Sequence, residues 1–321
     1  GTNLLEGPGN HHFPVTSSHP EVQRWFDQGL MLSYGFNHDA AERAFLKATQ
    51  LDPQCAMCWW GAALVVGPHV NAGMDPKNNA SAWSRLQKAR ELAPKASARE
   101  QAFIEALSAR YAANPPENRR PLDEAYAVAT RELMRKLPND LDAATFHAEA
   151  LMDLQPWDYY DDNKQPKGHT SEIVSTLESV MKRNPDHPGA LHLYVHAVEA
   201  SADPQRGVDA ADRLRTLIPG SGHLVHMPAH IYARVGRWHD AVLANLSPPA
   251  GPAAPGAFDF QRVAWYQQLG AVGYALAPDD AVDLTTLMAR ADAAMYAAKA
   301  AGKNRTQRAV PAAPPADGVR A

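Results

Sequence analysis

From residue 20 to residue 245, apolar side chains return every three or four positions, the spacing that lays one stripe along an α-helix. The alternation of β-branched residues that would mark strands is absent there, and Ala, Leu and Glu are frequent. The stripes come in pairs. Trp25-x3-Gly29 opens one, and Ala41-x3-Phe45-x2-Ala48-x4-Pro53 closes its partner. Small residues let two helices approach, aromatics fill the space between them, and proline stops the second helix. The next pair begins directly after Pro53, with Trp59 in the place of Trp25. Similar endings recur at Pro94, Pro138, Pro185 and Pro219. Pro185 to Pro219 spans one 34-residue period, and Gly236, Trp238 and Ala241 carry the pattern into a sixth unit.

Three units carry extra residues between their helices: 67–79, 113–120 and 155–169, the last with Trp157, Tyr159 and Tyr160. Insertions of this kind either decorate the binding side of a repeat array or are tolerated surface loops. The pattern fails after Asn245. Residues 247–256 are rich in Pro, Ala and Gly and read as a linker, and 308–321 read as a disordered tail.

The paired helices with a 34-residue period resemble tetratricopeptide repeats. The resemblance implies an all-α fold: a right-handed α-solenoid of about six repeats over residues 20–246, preceded by a lead-in at 1–19. Residues 270–305, GAVGYALAPDDAVDLTTLMARADAAMYAAKAAGKNR, resemble the last strand and helix of a diguanylate cyclase GGDEF domain. That family binds nucleotide and metal upstream of this segment, and the chain contains no Gly-Gly pair. Residues 257–307 are therefore expected to be an inactive fragment. Leu284, Leu287, Met288, Ala291, Ala294 and Met295 form an apolar stripe suited to a C-terminal helix capping the solenoid.

In tetratricopeptide solenoids the first helix of each repeat lines a concave groove. On that register the fifth repeat places His192, His196 and Glu199 in the groove, and the sixth places His223, His226 and His230. His192 and His226 are equivalent, 34 residues apart, and so are His196 and His230. Glu149 and Asp153 share the face upstream. His at i and i+4 can chelate from one helix, and imidazole with carboxylate suits copper, iron, zinc or nickel. The predicted metal set is thus His192, His196, Glu199, His223, His226 and His230. Glu199 would be a ligand or a catalytic general base on metal-bound water, and His223 a further ligand or its support. His192, His196, His226 and His230 are expected to converge on one point. Affinity is expected to fall as pH drops through about 6.5, the ordinary imidazole value. Pro228 either kinks the helix carrying the second chelate or leaves His223 and His226 in a loop.

Other groups read as structural. Cys55 and Cys58 are taken as small buried hydrophobes, His38 as a packing residue, and His11-His12 as a solvated lead-in, with folding back into the groove as the alternative. No P-loop, GxSxG or HExxH motif occurs.

Composition narrows the partners. With 31 basic and 35 acidic residues the net charge is −4, which gives no general attraction to nucleic acid. The longest apolar stretch is 13 residues, short of the roughly 20 that span a bilayer. No signal peptide is visible at the opening Gly1. The segments GNHHFPV, FDQGLMLSYGFNHDAA, DPQCAMCWWGAALVVGP, HLYVHAVEAS and GHLVHMPAHIYARVGRW are similar to a group of bacterial tetratricopeptide proteins over residues 5–245. That similarity implies the fold and an exported, periplasmic location; it supplies no reaction. His69 stands where members have Asn. Two functions follow from these residues: a metalloprotein, as oxidoreductase or hydrolase on a small-molecule or peptide substrate, or a scaffold binding a peptide or protein partner in the groove.

Overall fold

The computed structural model describes residues 3–5, 9–246, 272–274 and 306–308. The chain divides into two compact units, 1–251 and 252–321. The first unit is helical. Its elements are α1 (Val22–Tyr34), α2 (His38–Leu51), α3 (Ala56–Leu64), α4 (Asn79–Leu92), α5 (Ala98–Leu107), α6 (Arg120–Lys136) and α7 (Leu141–Asp153). There follow α8 (Thr170–Arg183), α9 (Pro188–Val198), α10 (Val208–Leu217), α11 (Gly222–His226), α12 (Pro228–Arg234) and α13 (Trp238–Leu246). In the second unit, β1 (Val272–Tyr274) and β2 (Thr306–Arg308) pair in parallel, Val272 opposite Thr306. The proposed capping helix, most of the GGDEF-like segment, the linker and nearly all of the tail lie outside the described residues.

Proline sets the helix ends. The helices α2, α4, α6, α8 and α10 each stop two residues before Pro53, Pro94, Pro138, Pro185 and Pro219. Proline disfavours the helical conformation in the residue before it. Asp52 and Asn184 accordingly have extended backbone. The following helices start on side-chain caps: Asp140 accepts from Ala143 N–H before α7, and His187 from Ala190 N–H before α9. Ser97 and Glu100 form a reciprocal capping box at α5.

Each helix packs on the next, giving the pairs α1/α2, α3/α4, α5/α6, α7/α8, α9/α10 and α11–α12/α13. Gly29 of α1 and Gly61 of α3 both press on the Phe45 ring of α2; a Cβ at Gly29 would stand 2.8 Å from it. This is the small-residue and aromatic packing read from the sequence. The first helices also touch one another, α1 on α3, α3 on α5 and α7 on α9, and α1 reaches α9 directly. Between them lies an aromatic core of Phe13, Phe26, Trp60, Phe103 and Phe146, all 2% exposed or less.

Two expectations are corrected here. The lead-in is only partly solvated: His12 stays exposed, but His11 and Phe13 dock. Phe13 is fully buried against Phe26, Trp60 and Phe103. Around it, Thr16 bonds Glu100 through backbone and hydroxyl at 2.6 Å, and Ser17 bonds Asp52 at 2.6 Å. Cys55 and Cys58 are buried, as expected, but they form a disulfide in the first turn of α3. Spacing of three on a helix brings the two sulfurs together locally, so no second cysteine pair is needed.

Candidate metal centre

The fifth and sixth pairs bring the histidines together. His192 and His196, one turn apart on α9, face the same way, and their Nε2 atoms are 3.1 Å apart. His223 on α11 places its Nε2 3.0 Å from that of His192. The approach of α11 is close because Gly35, just past α1, leaves no side chain in its way. A Cβ there would stand 2.7 Å from the Ser221 hydroxyl.

Pro228 then breaks the helix. Met227 keeps its bond to the His223 carbonyl, α11 ends at His226, and α12 restarts at Pro228. His226 and His230 meet across this break with Nε2 atoms 3.0 Å apart. The rings therefore form two groups, not the single four-membered cluster expected. His192, His196 and His223 make a trio, and His226 with His230 a pair. The groups are adjacent: the His223 and His226 ring centres are 6.2 Å apart, and those of His196 and His230 6.3 Å.

The proton on each ring follows from its other nitrogen. His192 Nδ1 lies 2.6 Å from the Tyr34 carbonyl at the end of α1. A carbonyl only accepts, so Nδ1 carries the hydrogen and Nε2 presents a lone pair. His230 Nδ1 is 2.8 Å from Glu199 Oε2, and the carboxylate takes its hydrogen in the same way. His226 Nδ1 is 2.7 Å from Asn245 Oδ1. The orientation of that amide follows from Asn245 Nδ2, which donates to the Ala241 carbonyl at 2.7 Å.

Glu199 does not stand where the sequence reading placed it. Both of its oxygens face Nδ1 edges: Oε2 that of His230, and Oε1 that of His196 at 3.9 Å. The carboxylate lies behind the rings, away from the Nε2 atoms. Asp153 is drawn elsewhere, to Arg110 at 2.8 Å, and burial raises the carboxyls of both Glu149 and Asp153.

The site is dry. His192 is fully buried and His196 is 2% exposed. These positions do not line an open groove. Burial holds the imidazoles neutral: His192 is pushed down to about 3 and His226 to about 4, with His196 and His223 well below the ordinary value. Neighbouring histidines add to the effect. The pH limit of about 6.5 for neutral ligands, expected of ordinary imidazole, is therefore too high for this site.

Two aromatic walls border the rings: Phe36, which the sequence reading did not single out, and Trp157, from an insertion it offered as binding-side decoration or a surface loop. Phe36 packs on His192 at 4.4 Å between ring centres, and also touches His69, His196 and His223. Trp157, from the third insertion, meets His196 edge-on at 4.9 Å. Both have left-handed backbone, with φ of 54° and 64°. Such a conformation costs a non-glycine residue about 1–2 kcal/mol, so local sequence gives no signal for it. His69 is also near, stacked at 4.0 Å on His38, whose Nδ1 bonds the Val65 carbonyl.

A second group lies apart from this centre. His11 Nε2, Tyr34 Oη and His187 Nε2 approach Asp142 Oδ1 at 2.8, 2.6 and 3.3 Å. It borders a cavity of about 480 Å3 lined also by Arg99 and Asn184. His187 Nδ1 accepts the Ala190 N–H, so in the neutral ring the hydrogen is on Nε2, which lies near Asp142 without bonding it. His11 is raised, because its contact with Asp142 outweighs burial.

By proximity alone, His192/His196/His223 and His11/Asp142/His187 could each hold a metal ion: in both, the ligand atoms lie within 4.8 Å of one another. No helix among the described residues is long and apolar enough to cross a membrane. Comparison with known proteins assigns neither group a role, since no protein-family model and no curated protein matches the chain.

Proposed function

We propose that this chain is a metalloprotein whose transition metal is held by the Nε2 atoms of His192, His196 and His223. The observation that carries the reading is the pair of Nε2 to Nε2 distances, 3.1 and 3.0 Å, around a His192 nitrogen that presents a lone pair. With metal–nitrogen bonds of about 2.1 Å, two ligands on one ion stand about 3.0–3.4 Å apart. Two neighbouring imidazoles cannot both donate well into the single in-plane lone pair of His192, whereas one cation can accept from all three rings.

The donor set suits copper, iron or zinc. Three imidazoles leave coordination positions for water or substrate, which fits a metal-dependent oxidoreductase or hydrolase. Tyr34 orients His192 through its carbonyl, and Glu199 bonds His230 beside the trio, with its other oxygen 3.9 Å from His196 Nδ1. Glu199 thus acts as a positioning residue and not as the general base. We read the six helix pairs as a right-handed tetratricopeptide-type solenoid that supports this centre. A peptide scaffold using the same positions would need them accessible, and His192 and His196 are buried.

The test is calorimetric titration of chelator-stripped protein with Zn2+ and Cu2+ at pH 7.5. Tight, saturable binding, with the trio's share of it lost in His192→Ala, is the expected result. Absence of binding to the wild type refutes the proposal.

A further inference from the structure

We infer that His226 and His230 bind a second metal ion beside the first, making the centre dinuclear; this rests on the reading of the His192 trio as a metal site. The argument is the placement of protons. His226 Nδ1 donates to Asn245 Oδ1, and His230 Nδ1 donates to Glu199 Oε2. With both rings neutral, each presents a lone pair at Nε2. The structure aims these two lone pairs at each other across 3.0 Å. Two lone pairs at that distance repel, and a cation between them converts the repulsion into two coordinate bonds.

The surroundings are those of metal ligands. Each ring is fixed through its far nitrogen by an oxygen acceptor, the arrangement that sets tautomer and ring orientation at metal sites. The Asn245 amide is itself oriented by the Ala241 carbonyl. Glu199 ties the two groups together, with Oε2 on His230 of the pair and Oε1 facing His196 of the trio. His230 has a side chain 30% exposed, while that of Glu199 is 9% exposed. The second ion thus sits on the solvent side of the centre. It is the one that exchangeable ligands, water or an anionic substrate group, reach first.

The experiment counts ions. The full chain is stripped with chelator, loaded with Zn2+, desalted and assayed for bound metal. The wild type should hold two equivalents. A His226→Ala/His230→Gln double variant should hold one, and so should a His192→Ala/His196→Ala double variant. Loading with Cu2+ adds a spectroscopic readout: the wild type should show a spin-coupled signal, and either double variant an isolated-ion signal. Each variant must retain the cooperative melting of the metal-free wild type. Should His226→Ala prevent folding, His230→Gln alone, at the more exposed ring, carries the test. One equivalent in the wild type that survives loss of His226 and His230 overturns the inference and leaves the trio's assignment intact. One equivalent lost in both double variants also overturns it, and means a single ion spans the two groups. No bound metal at all refutes both readings.

Discussion

Two clusters of histidine lie in the same helical unit, and they differ in where their protons are. Around Asp142 the protons already point inward. His11 and Tyr34 bond one carboxylate oxygen, and His187 Nε2 lies 3.3 Å from it. Around His192 the protons point outward, to the Tyr34 carbonyl, while on the adjacent pair they go to Glu199 and Asn245. The lone pairs are left facing inward. Both clusters meet a distance criterion for metal binding. In the second, His192 turns an unprotonated nitrogen inward; in the first, the carboxylate already has hydrogen-bond donors. Distance between donors is thus a weak guide; the partner of the far nitrogen decides.

The sharpest way to break this contrast is at Asp142. Asp142→Ala strands two histidines and a tyrosine in the interior, and removing one partner of a buried charged network costs about 3–5 kcal/mol. Denaturant melts should show that loss, while the number of bound metal ions stays at the wild-type value. Metal loss in this variant would mean the two clusters are not independent.

His192→Ala is the reciprocal change. A ligand at 100 times its Kd stabilises the fold by about 2.7 kcal/mol. Thermal melts with added Zn2+ should show that rise in the wild type and a smaller one in the variant, which keeps only the His226/His230 site. Glu199→Gln is milder, because it weakens the orientation of the rings and leaves their nitrogens in place. Changes of this kind typically lower metal affinity about 10–100-fold. Competition with a chelator of known affinity measures it. A complete loss of binding would instead make Glu199 a direct ligand.

The two clusters should also respond to pH with opposite sign. His192 and His226 have folded values of about 3 and 4, below the ordinary imidazole value of about 6.5. The unfolded chain therefore takes up protons first, and metal-free stability falls as pH drops from about 6.5 toward 4. Metal affinity should persist into that same interval. His11 is raised, so its contribution is full below about 6.5 and lost as pH climbs through the folded value. The cost of His11→Ala should accordingly be larger at pH 6 than at pH 9 in urea melts. An equal cost at both would show that His11 is held neutral. The smallest effect is expected at the neighbouring His12, whose pair with Asp27 is 57% exposed on the histidine side. His12→Ala should move stability by less than about 1 kcal/mol.

Much of this was written locally. Helix pairs, their proline stops and the Gly29–Phe45 contact depend on residues close in sequence, and periodicity reveals them. Three features depended on distant partners. His223 joins His192 from two turns before His230, across neighbouring helices, whereas the 34-residue spacing pointed to His226 as its counterpart. Glu199 turned out to back the rings because its neighbours are Nδ1 atoms, which no residue count distinguishes from Nε2. Phe36 and Trp157 reach the rings through left-handed backbone that favours glycine and disfavours aromatics.

The docked lead-in has a consequence for biosynthesis. Thr16 pairs with Glu100, 84 residues downstream, and His11 with Asp142, 131 residues downstream. At about 5–20 residues per second, a ribosome makes Asp142 roughly 7–26 s after His11. For that interval Phe13 has no complete pocket, because Phe103 is also still to come. The lead-in therefore waits without its complete pocket while the helices that follow it in the chain are made. Its docking is a late, long-range closure, and a nascent chain stalled before residue 142 would carry an exposed Phe13 strap available to other polypeptides.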